Sequence, residues 1–171
     1  IDKGYGGDLC NAAYDSVMFQ NCNLSVRVTD EFMDSVEKDG KWKTLSVTTG
    51  KEVEEHSARE MMDLIAEGTR VCGDPGLQYH TTINRWHTCP DSGPINASNP
   101  CSEYMFLDNS ACNLASLNLI KFRNEDGTFD VESFKKAVRI FIIAQDILVD
   151  NGSYPEANIT ENSHNYRPLG L

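Results

Sequence analysis

No apolar run in this sequence reaches the roughly 18 residues that a membrane-spanning helix needs. The longest, Ile140–Ala144 with Ile147–Val149, is interrupted by Gln145 and Asp146, which argues against a helical span and against a membrane partner. Basic residues are few: 15 Lys and Arg stand against 26 Asp and Glu, for a net charge of -11. A dedicated binder of nucleic acid or of an anionic membrane would carry a basic face, so no nucleic-acid partner is expected. A local cationic site for a phosphate-bearing small molecule is still compatible with that balance. Cysteine is limited to Cys10, Cys22, Cys72, Cys89, Cys101 and Cys112, with no CxxC pair. The chain is too long and too rich in core residues to need a disulfide scaffold, so reduced thiols and a cytoplasmic location are expected. An initiator Met and a signal peptide are absent. The chain opens on IDKGYGGDLCNAAY and closes on RPLGL, which reads as an internal segment of a longer polypeptide.

What is there suffices for a folded core: 171 residues can hold one domain. Leu24, Val26 and Val28 alternate with Ser25 and Arg27, the pattern of a half-buried strand. Thr29 then caps a short helix carrying Asp30 and Glu31 in its first turn, with Phe32, Met33 and Val36 as its stripe and Gly40 at its end. Trp42–Thr48 reads as a strand, and Glu52–Glu55 as an exposed charged face before a helix. Ser57 with Glu60 forms a capping box, and Ala58, Met61, Met62, Ile65 and Ala66 follow at helical spacing up to the turn Gly73-Asp74-Pro75-Gly76. The stretch 76–100 has little periodicity and reads as loop. A long helix is expected over Val131–Asp150, capped by Asp130, ended by Asn151-Gly152, and apolar nearly all round at its C-terminal end. Strands alternating with helices indicate the α/β class.

The chemistry is concentrated in Asn99-Pro100-Cys101-Ser102-Glu103. In an extended chain Asn99, Cys101 and Glu103 would share one side, with neighbours roughly 6.5–7 Å apart. Pro100 has no N–H and pushes Asn99 out of the α region, so this is an extended loop and not a central strand. A thiol can donate and accept a hydrogen atom, a carboxylate can take a proton from a neighbouring hydroxyl, and an amide can hold that hydroxyl. The trio suits chemistry on a polyol. A surface turn with a buried Cys is the plain alternative. A zinc site from Cys89, Cys101 and Cys112 with His80 or His87 lacks the close ligand pairs of structural zinc, so no metal site is expected. Cys72 reads as packing, His87 as a structural loop residue, His56 and His164 as solvated, and Trp42 and Trp86 as core or interface residues.

GDPGLQYHTTINRWHTC, followed by GPINASNPCSEYMFLDNSACNLASLNL, resembles the catalytic barrel of ribonucleotide reductase large subunits. NLSVRVTDEFMDSV and the tail HNYRPLGL extend the resemblance over nearly the whole chain, and NPCSEYMFLD with INRWHTC is most similar to the adenosylcobalamin-dependent class. The resemblance implies part of a ten-stranded α/β barrel spanning residues 1–171, with a central finger loop at about 96–104. It implies radical reduction of ribonucleoside diphosphates or triphosphates to 2′-deoxyribonucleotides, with adenosylcobalamin as cofactor. Cys101 would be the radical carrier, Glu103 the base for the 3′-hydroxyl, Asn99 the holder of the sugar hydroxyls, and Cys112 one of two cysteines oxidised to a disulfide. Residues 99–103, Pro100 and Ser102 included, would contact substrate. Gln20, Asn21 and Asn23 match the family's effector-specificity loop, although Met18, Phe19 and Cys22 stand where small residues are expected. The implied partners are the ribonucleotide, the remaining segments of the reductase chain and a thioredoxin-type reductant, and a homodimer of the full enzyme is allowed. The partner of Cys112, the phosphate-binding loop and the C-terminal CxxC would lie in those other segments. The segment alone should therefore not turn over. A non-catalytic nucleotide-binding or assembly module derived from the same family is the alternative.

Overall fold

The computed structural model describes residues 21–171. The chain divides into two compact units, Ile1–Met105 and Phe106–Leu171.

The first unit is built on two parallel strands, β1 (Ser25–Val28) and β4 (Gly76–Tyr79), paired so that Arg27 lies opposite Gln78. Between them come α1 (Asp30–Glu37), the antiparallel strands β2 (Lys41–Leu45) and β3 (Glu52–Ser57), and α2 (Ala58–Cys72). A parallel pair needs a crossover of this kind, because its strands cannot be joined by a tight hairpin. The crossover covers one face of the pair. Val28, Phe32, Val36 and Ala58 are its buried core, and Val26, Met33, Trp42, Met61 and Leu77 pack around it. Phe32 meets Trp42 edge-on with ring centres 5.3 Å apart, a favoured aromatic geometry.

The helix caps fall where the sequence places them. Thr29 Oγ1 accepts from the Phe32 N–H, Ser57 Oγ accepts from the Glu60 N–H, and Gly73 ends α2 in the left-handed region at φ 83°. Removing the cap hydroxyl in Ser57→Ala should weaken the first turn of α2 by about 1 kcal/mol. Amide exchange at Glu60 should then speed up about fivefold, and an unchanged rate there would show that the cap is idle.

Glu52–Glu55 are exposed and precede α2, as expected, within β3. Two expectations in this unit need correction. The strand begun at Trp42 stops at Leu45, because residues 46–50 turn back with the Gly50 N–H on the Ser46 carbonyl at 2.8 Å. Residues 76–100 are not mainly loop, since they hold β4, the short helix α3 (His80–Arg85), a 3-10 turn at Pro90–Ser92 and β5 (Ala97–Ser98). Elements this short leave too few residues to display a period. Trp86 is 80% exposed and so is not a core residue within this unit.

In the second unit, β7 (Asn113–Leu114) pairs in parallel with β8 (Leu169–Gly170), and β6 (Met105–Phe106) lies at the division between the units. The long helix α4 (Val131–Asn151) packs on β7 and β8, capped by Asp130, whose carboxylate accepts from the Ser133 N–H at 3.0 Å. Phe122, Phe129 and Phe134 form a cluster near its start. A further helix, α5 (Ala157–Tyr166), was not signalled by any apolar stripe in NITENSHN. Arg167 follows it in the left-handed region at φ 48° and is held by the carboxylates of Asp146 and Asp150, each at 2.6 Å. The hydrogen bond from Arg167 holds the Asp150 carboxyl below its ordinary range, against the opposing effect of desolvation. A carboxyl whose pKa falls on folding stabilises the fold above its unfolded pKa and loses that contribution as pH drops through the folded one. Acid therefore loosens the link between α4 and the chain entering β8.

The described residues are thus mixed α/β, with four two-stranded sheets. None of the described helices is long and apolar enough to cross a membrane.

Candidate functional site

The two faces of the β1–β4 pair differ because strand side chains alternate. Val26, Val28 and Leu77 go to the core, while Arg27 and Gln78 meet on the other side. Arg27 is not the solvent-side residue that simple alternation suggests. Its Nη1 donates to Gln78 Oε1 at 2.6 Å, its Nε to His80 Nδ1 at 3.0 Å and its Nη2 to the Ile95 carbonyl at 2.9 Å. Asn84 clamps the same Ile95, accepting its N–H at 2.9 Å and donating to its carbonyl at 3.0 Å. Ile95 is 2% exposed. The segment that leads into β5 is thereby fixed to the strand pair.

Beyond β5 the chain does not run on extended. Residues 99–102 form a β-turn in which the Ser102 N–H donates to the Asn99 carbonyl at 3.1 Å. The Asn99 N–H donates to the Tyr104 carbonyl at 3.4 Å, and Asn99 Oδ1 accepts from the Tyr104 N–H at 2.9 Å. The expectation that Asn99, Cys101 and Glu103 share a side by strand alternation is therefore corrected: Asn99 and Cys101 belong to a closed turn, and Glu103 follows it. The local chemistry explains it. Asn is favoured at the first position of a type I turn and Pro at the second, because proline fixes φ near −65°. Ser102 takes φ 65°, a region that non-glycine residues rarely adopt and that is enriched at functional sites.

In this stretch Cys101 and Glu103 are exposed, Pro100 is exposed, and Asn99 and Ser102 are half-buried. The thiol and carboxylate are accessible to a ligand. With its Oδ1 engaged by the backbone, Asn99 has an NH2 group to donate to an oxygen. An exposed thiol replaces the plain alternative of a buried one.

A polar hollow of about 420 Å³ lies beside the turn, lined by Ser98, Asn99, Pro100, Asn21, Asn23 and Arg27 among others. Cys22 and Gln78 also border it. The structure thus brings two of the three candidate specificity-loop residues, Asn21 and Asn23, to the wall of the same hollow as the turn. Gln20 lies outside the described residues. A second hollow, of about 300 Å³, is mostly apolar and is lined by Ile83, Trp86, His87 and Met105 among others. No cluster of three or more metal-ligating side chains occurs among the described residues.

Cys112 belongs to the second unit. It is half-buried immediately before β7. A Cβ at Gly170 would lie 3.7 Å from Cys112 Sγ, in ordinary van der Waals contact, so β8 runs directly beside the thiol. Gln145, 3% exposed on α4, donates through Nε2 to the carbonyls of Asn113 and Gly170, both at 2.9 Å, and so ties β7 to β8 next to Cys112.

Arg27, Gln78, Ser98, Asn84 and Gln145 carry this geometry but do not stand out in the sequence. The one available signal was polar residues at alternate positions in two strands that would pair.

Residues 10–171 match the family model described as "Ribonucleotide reductase, barrel domain". The chain is 57% identical over 173 residues to the vitamin B12-dependent ribonucleotide reductase of Rhodopirellula baltica, covering 100% of this chain and 17% of that protein. It is 49% identical to the protein of the same name from Streptomyces avermitilis, over 99% of this chain and 18% of that one. The Agrobacterium fabrum protein of that name is 43% identical, over 99% of this chain and 13% of its own length. The chain therefore spans less than a fifth of each of these relatives.

Proposed function

The chain belongs to the ribonucleotide reductase barrel-domain family, and from that membership we propose that it is a segment of the catalytic subunit of an adenosylcobalamin-dependent ribonucleotide reductase. The observation that carries the reading is the turn at residues 99–102, which exposes the Cys101 thiol with the Glu103 carboxylate just after it, while Asn99 and Pro100 of the same turn border a polar hollow. In the complete enzyme this turn is the finger loop inside a ten-stranded barrel, to which residues 1–171 contribute part.

When bound, adenosylcobalamin supplies the carbon-centred radical that takes a hydrogen atom from a thiol. This segment meets one need of that chemistry, an accessible thiol on a turn closed by three hydrogen bonds. The corrin itself would be held by other parts of the enzyme. As a thiyl, Cys101 removes the 3′ hydrogen of the ribose. Glu103 takes the 3′-hydroxyl proton as general base, and the Asn99 NH2 group holds a sugar oxygen. Water leaves from C2′. Cys112 and a partner cysteine in another segment then deliver two electrons and two protons and close a disulfide, Cys101 returns the hydrogen atom to C3′ and is again a thiyl, and a thioredoxin-type protein reopens the disulfide. Asn21 and Asn23 border the hollow, where they can sense the base and pass on an effector signal. The substrate is a ribonucleoside diphosphate or triphosphate, the compartment is the cytoplasm, and a homodimer is compatible with the arrangement.

The complete enzyme, prereduced and given one turnover without external reductant, should yield one deoxynucleotide per active site and leave Cys112 in a disulfide, detected by alkylation and peptide mass analysis. Cys112 still fully alkylated after product has formed would remove it from the mechanism. Under the alternative reading, a non-catalytic assembly module, no deoxynucleotide would form with or without the cofactor.

A further inference from the structure

The thiol-bearing turn is anchored from below by one buried amide. Gln78 is 5% exposed. Its Nε2 donates to Ser98 Oγ at 2.7 Å and to Ser102 Oγ at 3.2 Å, the two serines that flank Asn99-Pro100-Cys101. Ser98 Oγ passes the restraint on, donating to the Asn99 carbonyl at 2.7 Å. That carbonyl also accepts the N–H that closes the turn. Ser98 Oγ also donates toward Ser102 Oγ at 3.2 Å, so its one hydrogen serves the Asn99 carbonyl or Ser102. Only one orientation of the Gln78 amide lets both serines accept from it. Arg27 selects that orientation: a guanidinium can only donate, so its Nη1 at 2.6 Å requires the oxygen of Gln78 to face it and the NH2 to face the serines. Arg27 is itself fixed by His80 and the Ile95 carbonyl.

From this geometry we infer that Gln78, oriented by Arg27, is a positioning residue for the Cys101 thiol. It acts through Ser98 and Ser102 to hold the turn at the distance that hydrogen-atom abstraction requires. The inference rests on the radical-turn reading above and deepens it. Burial alone would make Gln78 a packing residue, but a packing residue has no need for two hydroxyl partners on either side of one thiol. The left-handed φ of Ser102 adds weight. A residue in that region persists only where its surroundings over-determine it, and the bond to Gln78 is such a surrounding.

The discriminating variant in the complete enzyme is Gln78→Glu. It preserves size and the contact with Arg27 but turns the donor toward the serines into an acceptor. Ser98, the nearer hydroxyl at 2.7 Å, must then turn to the carboxylate, and the Asn99 carbonyl loses its second donor. A misplacement of about 1 Å can cost up to about a hundredfold in rate, so turnover should fall between about tenfold and a hundredfold with KM little changed. Abstraction of the 3′ hydrogen should become rate-limiting, so the isotope effect on turnover with 3′-deuterated substrate should rise. Ser98→Ala, which removes one small hydroxyl and is mild enough to spare the fold, should shift the isotope effect the same way, and it decides the matter if Gln78→Glu does not fold. Lower turnover with an unchanged isotope effect would mean a merely structural role and overturn the inference. A raised KM alone would mean direct substrate contact and overturn it equally, as would wild-type behaviour. Cys101→Ala run alongside separates the two levels: if it retains radical chemistry, the turn reading itself fails, whereas an inert Cys101→Ala beside a normal Gln78→Glu removes only the role of Gln78.

Discussion

Cys101→Ala in the complete enzyme is expected to abolish deoxynucleotide formation and, with it, exchange of the cofactor's 5′ hydrogen with solvent. An alanine cannot lend or receive a hydrogen atom, and Cys101 is the thiol at the tip of the turn. Cys112→Ala should fail differently. Under the proposed mechanism the thiyl on Cys101 forms before the reducing pair is used, so exchange should persist while reduction at C2′ stops and the substrate radical decays with loss of base. Glu103→Gln should give a third pattern, with exchange preserved and turnover lowered on the order of 10²–10⁴-fold, the usual contribution of a positioned general base. The check is to measure exchange, base release and deoxynucleotide side by side in the three variants. Exchange surviving in Cys101→Ala would sink the assignment of the radical carrier. Identical patterns for Cys101→Ala and Cys112→Ala would sink the division of labour between the two thiols.

Asn99, Cys101 and Glu103 form a short-range feature, and that is why they were legible. Pro100 restricts its own φ and that of Asn99, and a thiol and a carboxylate two apart stand out in five letters of sequence. The same five letters misled about shape. An extended chain would set the three residues on one side, whereas the β-turn bends the chain at Pro100 and Cys101. What chose the turn was the capture of Asn99 Oδ1 and its carbonyl by neighbours at Tyr104, Ser102 and Ser98. Helices with strong stripes and caps, α1, α2 and α4, were legible to within a residue or two because local spacing and capping specify them. The elements between residues 76 and 98 were not, because β4, α3 and β5 span only 4, 6 and 2 residues. Arg27 and Gln78 were hidden for another reason. They are separated by 51 positions, and only the parallel register of β1 on β4 makes them neighbours. No local pattern encodes that register. The crossover that sets it is a property of the folded unit.

Expressed as a separate polypeptide, residues 1–171 are expected to self-associate and to melt without a sharp cooperative transition. The cause is α4. Its Gln145 and Val149 are buried, but Ile140, Ile143, Ile147 and Leu148 are 66%, 61%, 54% and 58% exposed. Ile140, Ile143 and Ile147 lie three and four residues apart, so they form one continuous apolar row. Covering a side chain of this size fully contributes roughly 1.5–3 kcal/mol, and single domains have only about 5–15 kcal/mol of net stability in all. An uncovered row is therefore a large driving force for association, and apolar patches of this kind mark contact surfaces. In the complete reductase the remaining chain would cover it. The same three substitutions should accordingly act with opposite sign in the two settings. Ile140→Lys, Ile143→Glu and Ile147→Lys together should make the isolated segment more monomeric. Charge then replaces the apolar row, and a carboxylate at position 143 stands one turn before an ammonium at position 147, a favourable helical pair. In the complete enzyme the same triple change would take three charges out of water with at most two of them paired, which costs several kcal/mol, and should reduce the yield of folded protein sharply. Sedimentation of the isolated segment and expression of the complete variant measure the two halves. A wild-type segment that sediments as a monomer with a sharp calorimetric transition, or a complete triple variant that folds normally, would show that this row faces solvent in the enzyme.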